Sequence, residues 1–211
     1  MVDAVIFDLD GTLVDSAPDI HSGVNELLAA EGVAPLAFAT VRSFIGGGVA
    51  VLITRVIAAT GLPATRHADL CSRFIARYEH DPGGLTRPYD GVEAALDALA
   101  DLPLGLCTNK PEGPTRALLA HLGWSGRFSV IVGGDTLAVR KPDPAPLALA
   151  IQQIGGGPVL FVGDSEVDAE TAHRAGVPLL LFSGGYRSTP VADLAHRAAF
   201  DHWQDMPALV R

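Results

Sequence analysis

Ala4 to Phe7 is an unbroken apolar run that ends in Asp8 and is followed by Gly11. A run this short, apolar on both faces and closing in a glycine-containing loop, predicts a buried parallel strand. From Ser16 to about His80 the pattern turns helical. Ser16-Ala-Pro-Asp19 offers a capping serine, an early proline and an acid in the first turn. Val24, Leu27 and Leu28 continue that stripe, and Val49 to Ala59 and Leu70 to Tyr78 form two more. No strand is expected in this stretch. From Arg87 onward the texture changes. Val92, Leu96 and Leu99 stand at helical spacing. Leu104 to Cys107, Val130 to Val132, Val159 to Val162 and Pro178 to Phe182 read as strands. Pro114 to Leu122, Pro144 to Ile154 and Glu166 to Ala175 read as the helices between them, the second capped by Asp143-Pro144 and the third closed by Gly176.

Repeated strand-helix units imply an α/β fold: a parallel sheet with helices on both faces. The first strand must join that sheet, because one strand cannot stand alone. The helical stretch then becomes an insertion. The expected division is a core of residues 1–15 and 83–211 with a helical insert at 16–82. No internal repeat or low-complexity tract interrupts this order, and Gly155-Gly-Gly157 is a loop.

Composition narrows the function. With 48% hydrophobic and 18% charged residues, the chain has ample material for a core. Its formal net charge of -9 comes without any basic run. Nucleic-acid binders need basic faces to neutralise phosphate, so nucleic acid is not expected as a partner. An anionic small ligand would need a local positive centre, a metal ion or a placed lysine. Cys71 and Cys107 are too few for a disulfide framework and read as buried small residues. The first residues lack a basic leader, and apolar runs such as Val177 to Phe182 are too short to span a bilayer. A membrane is therefore not expected as a partner, and the expected compartment is the cytoplasm.

In open parallel sheets, ligands sit beyond the carboxyl ends of the strands. That rule selects Asp8 and Asp10 after the first strand, Thr108 and Asn109 after Cys107, and Asp164 after Gly163. Lys141 lies in a loop before a helix. Asp8 and Asp10, two residues apart at a strand end, can face one small volume. Like charges that close require a proton on one of them or a cation between them. An ionised Asp can act as a nucleophile, and a protonated neighbour can hand its proton to a leaving oxygen. The plain alternative is an exposed turn with two surface acids, against which the other strand-end groups weigh. Ser165-x-x-Asp168 fits a helix cap and metal support alike. Glu166 is expected to face solvent. His21, His67, His80, His121, His173, His196 and His202 share no ligand spacing and read as surface residues.

Asp8-Leu-Asp10-Gly-Thr-Leu-Val resembles the first motif of the haloacid dehalogenase-like hydrolase superfamily. Thr108-Asn109, Lys141-Pro-Asp-Pro and Gly163-Asp164-Ser-Glu-Val-Asp168 are similar to the second, third and fourth, in order and across the whole chain. Within the superfamily the chain looks most like the phosphoglycolate phosphatases. The tracts that carry this are Asp15-Ser-Ala-Pro-Asp19, Arg87-Pro-Tyr, Thr108-Asn-Lys-Pro-Glu112 and Gly133-Gly-Asp135 through Arg140-Lys-Pro-Asp-Pro-Ala-Pro146.

The resemblance implies a Rossmann-like core with an inserted α-helical cap, and a magnesium-dependent phosphatase acting on a small phosphorylated metabolite, 2-phosphoglycolate first. It implies Asp8 as nucleophile, Asp10 as acid/base, and Thr108 and Lys141 as groups that hold the phosphoryl oxygens. Asp8, Asp10 (through its carbonyl) and Asp164 would hold Mg2+. Asn109 would support this loop or touch substrate. Phe44-Ile-Gly-Gly-Gly48 would be the cap loop facing the nucleophile, with Gly46 and Gly47 toward substrate and Arg42 and Arg55 as partners for a carboxylate. Two rivals differ in kind. A β-phosphoglucomutase-type phosphotransferase would carry basic residues on that loop, and Ile45 to Val49 has none. A phospho-aspartate receiver module needs neither a cap nor the second Asp. An idle relative that only binds a partner would not keep every chemical position filled.

Overall fold

The structure is a computed structural model that describes residues 2–80 and 83–210, with the backbone alone for residues 78–80. The insert's expected end at residue 82 and the expected exposure of His80 lie outside the described residues. Strand β1 (Ala4–Phe7) is fully buried and sits inside a six-stranded parallel sheet. Its neighbours are β4 (Leu104–Cys107) on one side and β6 (Val159–Gly163) on the other. Beyond β4 lies β5 (Val130–Val132); beyond β6 lie β7 (Leu179–Phe182) and β8 (Ala198–Phe200).

Alternation along β1 explains the two apolar layers. Val5 and Phe7 point into a cluster with α5 (Val92–Ala98), α6 (Glu112–His121), α9 (Met206–Val210), Trp124 and Trp203. Ile6 points the other way, toward Leu147 and Ala150 of α7 (Ala145–Gln153) and Ala169 and Ala172 of α8 (Glu166–Ala175). Each large side chain buried this way stabilises the fold by roughly 1.5–3 kcal/mol. The expected sheet with helices on both faces is thus present.

Helices α1 (Ala17–Ala30), α2 (Phe38–Arg42), α3 (Val49–Thr60) and α4 (His67–His80) bury a third cluster around Val24, Ile53, Leu70 and Phe74. The two connections to the sheet run side by side as a short antiparallel pair, β2 (Val14–Asp15) and β3 (Arg87–Pro88). Asp19, fully buried, ties them together by accepting from Leu85 N–H, Thr86 N–H and the Thr86 hydroxyl.

Some local expectations need correction. Ser16 precedes α1 but its hydroxyl makes no cap bond. Asp15 and the Tyr186 hydroxyl accept from the Ala17 N–H instead. Helix α6 begins at Glu112, two residues before the expected proline. Pro114 falls in the first turn, where a backbone N–H has no intrahelical partner to lose.

Candidate active site

Three adjacent strands, β4, β1 and β6, deliver their carboxyl ends to one place, where strand connections diverge to opposite sides of β1. Asp8 follows β1, Thr108 follows β4 and Asp164 follows β6. Carboxylate oxygens of Asp8, Asp164 and Asp168 all lie within 4.8 Å of one another, and all three residues are buried. Lys141 Nζ reaches into the cluster, 2.9 Å from Asp8 and 2.7 Å from Asp168.

Asp168 has a structural job on both oxygens. One accepts from Lys141; the other accepts from the backbone of Asp164 and Ser165 and from the Ser165 hydroxyl. The Ser165 N–H bond and its reciprocal, Asp168 N–H to the Ser165 hydroxyl oxygen, close a capping box at the start of α8. Asp168 therefore fixes both the lysine and the loop bearing Asp164. Asp164 in turn accepts from the Thr12 hydroxyl at 2.7 Å and from Tyr186 N–H at 2.6 Å.

The electrostatics are those of crowded negative charge in a dry place. Burial, aided by Asp168 and opposed by Lys141, pushes the Asp8 carboxyl up to about 6. Burial, Asp168 and Asp8 raise Asp164 well above the carboxylate range. Burial pulls the Lys141 ammonium down, yet Asp168 and Asp8 outweigh it and hold it above its ordinary range. A hard cation beside Asp8 and Asp164 would relieve this repulsion. Two buried, all-oxygen donors in reach of each other fit Mg2+ chemistry. The crowding leaves room for an ion but not for side chains: a Cβ on Gly11 or Gly185 would overlap the Asp164 carboxylate.

Asp10 borders both of the cavities that Asp8 borders. Its carboxylate faces Lys110 Nζ at 3.4 Å. Asp8, Asp10, Thr108, Asn109 and Lys110 line a narrow cavity of about 50 Å³ whose far wall comes from Ile45, Gly46, Gly48, Leu52 and Phe74. Asp8, Asp10, Ile45 and Gly46 also border a wider cleft of about 450 Å³, lined further by Gly47, Arg42, Arg55, Asp164 and Tyr186. The loop at 44–48 thus faces Asp8. The Thr108 hydroxyl accepts from Lys110 N–H, which leaves its own hydrogen for another acceptor.

Asn109 does not act as a single-purpose group. Its amide donates at 3.0 Å to both Gly46 O and Lys141 O, joining three loops. Gly48 and Gly134 press against its backbone so closely that a Cβ on either would collide with the Asn109 carbonyl. Asp135, beside Gly134, accepts from Glu112 N–H at the start of α6. Arg42 and Arg55 border the cleft, with hydrogen bonds to Gly185 O and Phe44 O respectively. Glu166 is half-exposed, and its carboxylate also accepts from Ser188 N–H, the Ser188 hydroxyl and Thr189 N–H.

A family model described as haloacid dehalogenase-like hydrolase matches residues 2–176. The chain belongs to the haloacid dehalogenase-like hydrolases. It is a hydrolase similar to phosphoglycolate phosphatases. One from Cereibacter sphaeroides is 52% identical over 98% of this chain and 97% of its own. One from Rhodospirillum rubrum is 46% identical, over 98% and 90%. Among solved structures, a predicted phosphoglycolate phosphatase from Haemophilus somnus superposes with a TM-score of 0.93 at 30% identity, covering 100% of this chain and 98% of that one. No described helix of this hydrolase is long and apolar enough to cross a membrane.

Two residues of this site were not singled out from sequence. Lys110 is one of only two lysines in the chain, and both are buried beside carboxylates. That scarcity was the available signal. Tyr186 follows Gly184-Gly185, a glycine pair just past a strand, which marks a close backbone approach.

Proposed function

We propose that this hydrolase removes the phosphoryl group from a small phosphate monoester, 2-phosphoglycolate, with Mg2+ and through an aspartyl-phosphate on Asp8. The observation that carries the reading is Asp8 itself: buried, held 2.9 Å from Lys141, and bordering a cavity beside Asp10. Similarity over nearly the whole chain to phosphoglycolate phosphatases supports the substrate.

In this reading an Asp8 oxygen attacks phosphorus as the bond to the leaving oxygen breaks, and Asp10 gives that oxygen its proton. Water then attacks the phosphorus of the aspartyl-phosphate, Asp10 takes a proton from it, and inorganic phosphate departs with Asp8 restored. Lys141 and the Thr108 hydroxyl hold the phosphoryl oxygens. Mg2+, held by Asp8, Asp164 and the carbonyl of Asp10, would supply charge neutralisation. Residues 1–15 and 83–211 form the catalytic core. Residues 16–82 act as the cap, whose Gly46 and Gly47 meet the leaving group and exclude water. The substrate is a free metabolite of the cytoplasm rather than a nucleic acid, in keeping with the acidic surface.

Magnitudes favour this division of labour. Phosphate monoesters need up to ~10²¹-fold acceleration, roughly 29 kcal/mol. A general acid supplies about 10²–10⁴-fold, so positioning and charge stabilisation must do the rest.

Phosphate release from 2-phosphoglycolate tests the proposal. Turnover is expected with Mg2+, lost with a chelator, and lowered about 10³-fold or more in Asp8→Asn. Undiminished release by Asp8→Asn would rule out the covalent route.

A further inference from the structure

We infer that Lys110 reads the charge of the leaving group: it is the residue that meets the carboxylate of a short phospho-acid, and so sets the preference for an anionic over a neutral monoester. This rests on the phosphatase reading above and extends it to the residue that selects substrate.

The cavity beyond Asp8 is narrow and mostly apolar on its cap side, where Ile45, Val49, Leu52 and Phe74 line it. Among the described residues lining it, Lys110 is the only cation, and its side chain is nearly as buried as that of Lys141. The two lysines divide the site. Lys141 is held on the phosphoryl side, between Asp8 and Asp168. Lys110 stands on the leaving-group side, 3.4 and 3.5 Å from the two oxygens of Asp10. An ammonium carries three N–H donors, so Lys110 can engage a substrate acceptor while keeping Asp10.

The chemistry of the substrate completes the argument. In a 2-phospho acid the bridging oxygen and the carboxylate are separated by one methylene carbon. Asp10 is the residue that protonates the bridging oxygen, so the cation beside Asp10 stands where the carboxylate comes to rest. Arg42 and Arg55 border the wider cleft instead, so within the narrow cavity Lys110 is the charge that offsets the cost of burying a carboxylate.

The experiment measures kcat and KM for 2-phosphoglycolate and for its neutral analogue 2-hydroxyethyl phosphate, in wild type and in Lys110→Met, Lys110→Gln and Lys110→Arg. The readout is the ratio of kcat/KM between the two substrates. Wild type is expected to favour the acid strongly. In Lys110→Met and Lys110→Gln the ratio falls about 10- to 100-fold, mainly through KM, as for a lost hydrogen bond to a charged group. Lys110→Arg keeps most of the preference. A ratio unchanged in both neutral variants while activity on both substrates falls together overturns the inference, and assigns Lys110 to Asp10 alone. A wild-type ratio near one, with brisk turnover of both substrates, overturns the phosphoglycolate reading and this assignment with it. Using two neutral variants keeps the test decisive should one of them fold poorly.

Discussion

Glu166 shows how much one half-exposed carboxylate can do. Burial favours its neutral form, but three donors from Ser188 and Thr189 overcome that and pull it down to about 2. A carboxylate depressed below its ordinary 4.5 adds stability that is fully present above that value and is lost as pH falls toward 2. Solvent screening at this position leaves about 1 kcal/mol of it. Urea unfolding of wild type and Glu166→Gln should therefore differ by about 1 kcal/mol at pH 7, and the two should converge between pH 4.5 and 2. Glu166 escaped sequence reading because its partners lie past the next strand. Asp8, Asp10, Thr108 and Asp164 were legible because strand ends in a parallel sheet converge and acids concentrated there are unusual, whereas Lys141 was picked out by its motif. The double use of Asp168 could not be read from spacing: Ser165-x-x-Asp168 signals the cap, while the contact with Lys141 is made only by the fold. Lys110 was hidden by its chemistry: a lysine in a loop is ordinarily solvated, and only the fold reveals its burial.

Elements with strong periodicity declared themselves. Strands β1, β4, β5, β6 and β7 and helix α8 lie where apolar runs and capping signals put them. Those that did not are short or set by tertiary contact. Strands β2 and β3 have two residues each, and one of them is Pro88. Strand β8 buries only Phe200, so its pattern carries almost no signal. Helix α2 has a single buried residue, Val41. The loop after β7 matters most to the site, because Gly185 lets its backbone lie against Asp164. Gly185→Ala would drive a methyl group into that carboxylate, at a cost of about 1–3 kcal/mol. Saturating Mg2+ should raise the wild-type melting temperature by about 5–10 °C, taking magnesium at about 100 times its Kd. In Gly185→Ala most of that rise should vanish, as read by thermal melts with and without a chelator.

At the scale of the molecule, Tyr186 connects regions that sequence places far apart. Its hydroxyl donates to Asp15 and accepts from Ser16 N–H and Ala17 N–H at the entry to α1, while its own N–H holds Asp164. Arg42 of α2 lies 5.4 Å over its ring and bonds Gly185 O. The helical segment is thereby linked to the loop that shapes the acidic cluster. Tyr186→Phe keeps the ring and deletes the hydroxyl, leaving two amides and a carboxylate short of a partner. Unfolding free energy should drop by about 1–3 kcal/mol, and amide exchange at Ser16 and Ala17 should accelerate. Protection unchanged at those two amides would show that the link is not mechanical.

The pairing of β1 has a consequence for how the chain matures. Val5 faces Leu104 on one side and Ala4 faces Val159 on the other. Strand β1 is therefore made before both of its neighbours and is enclosed only when β6 follows. Until β6 is made, one edge of an entirely apolar strand stays bare, an invitation to intermolecular pairing. Synthesis halted before β6 should yield inert, aggregation-prone fragments, because the carboxylate that follows β6 arrives together with the strand that shields the first.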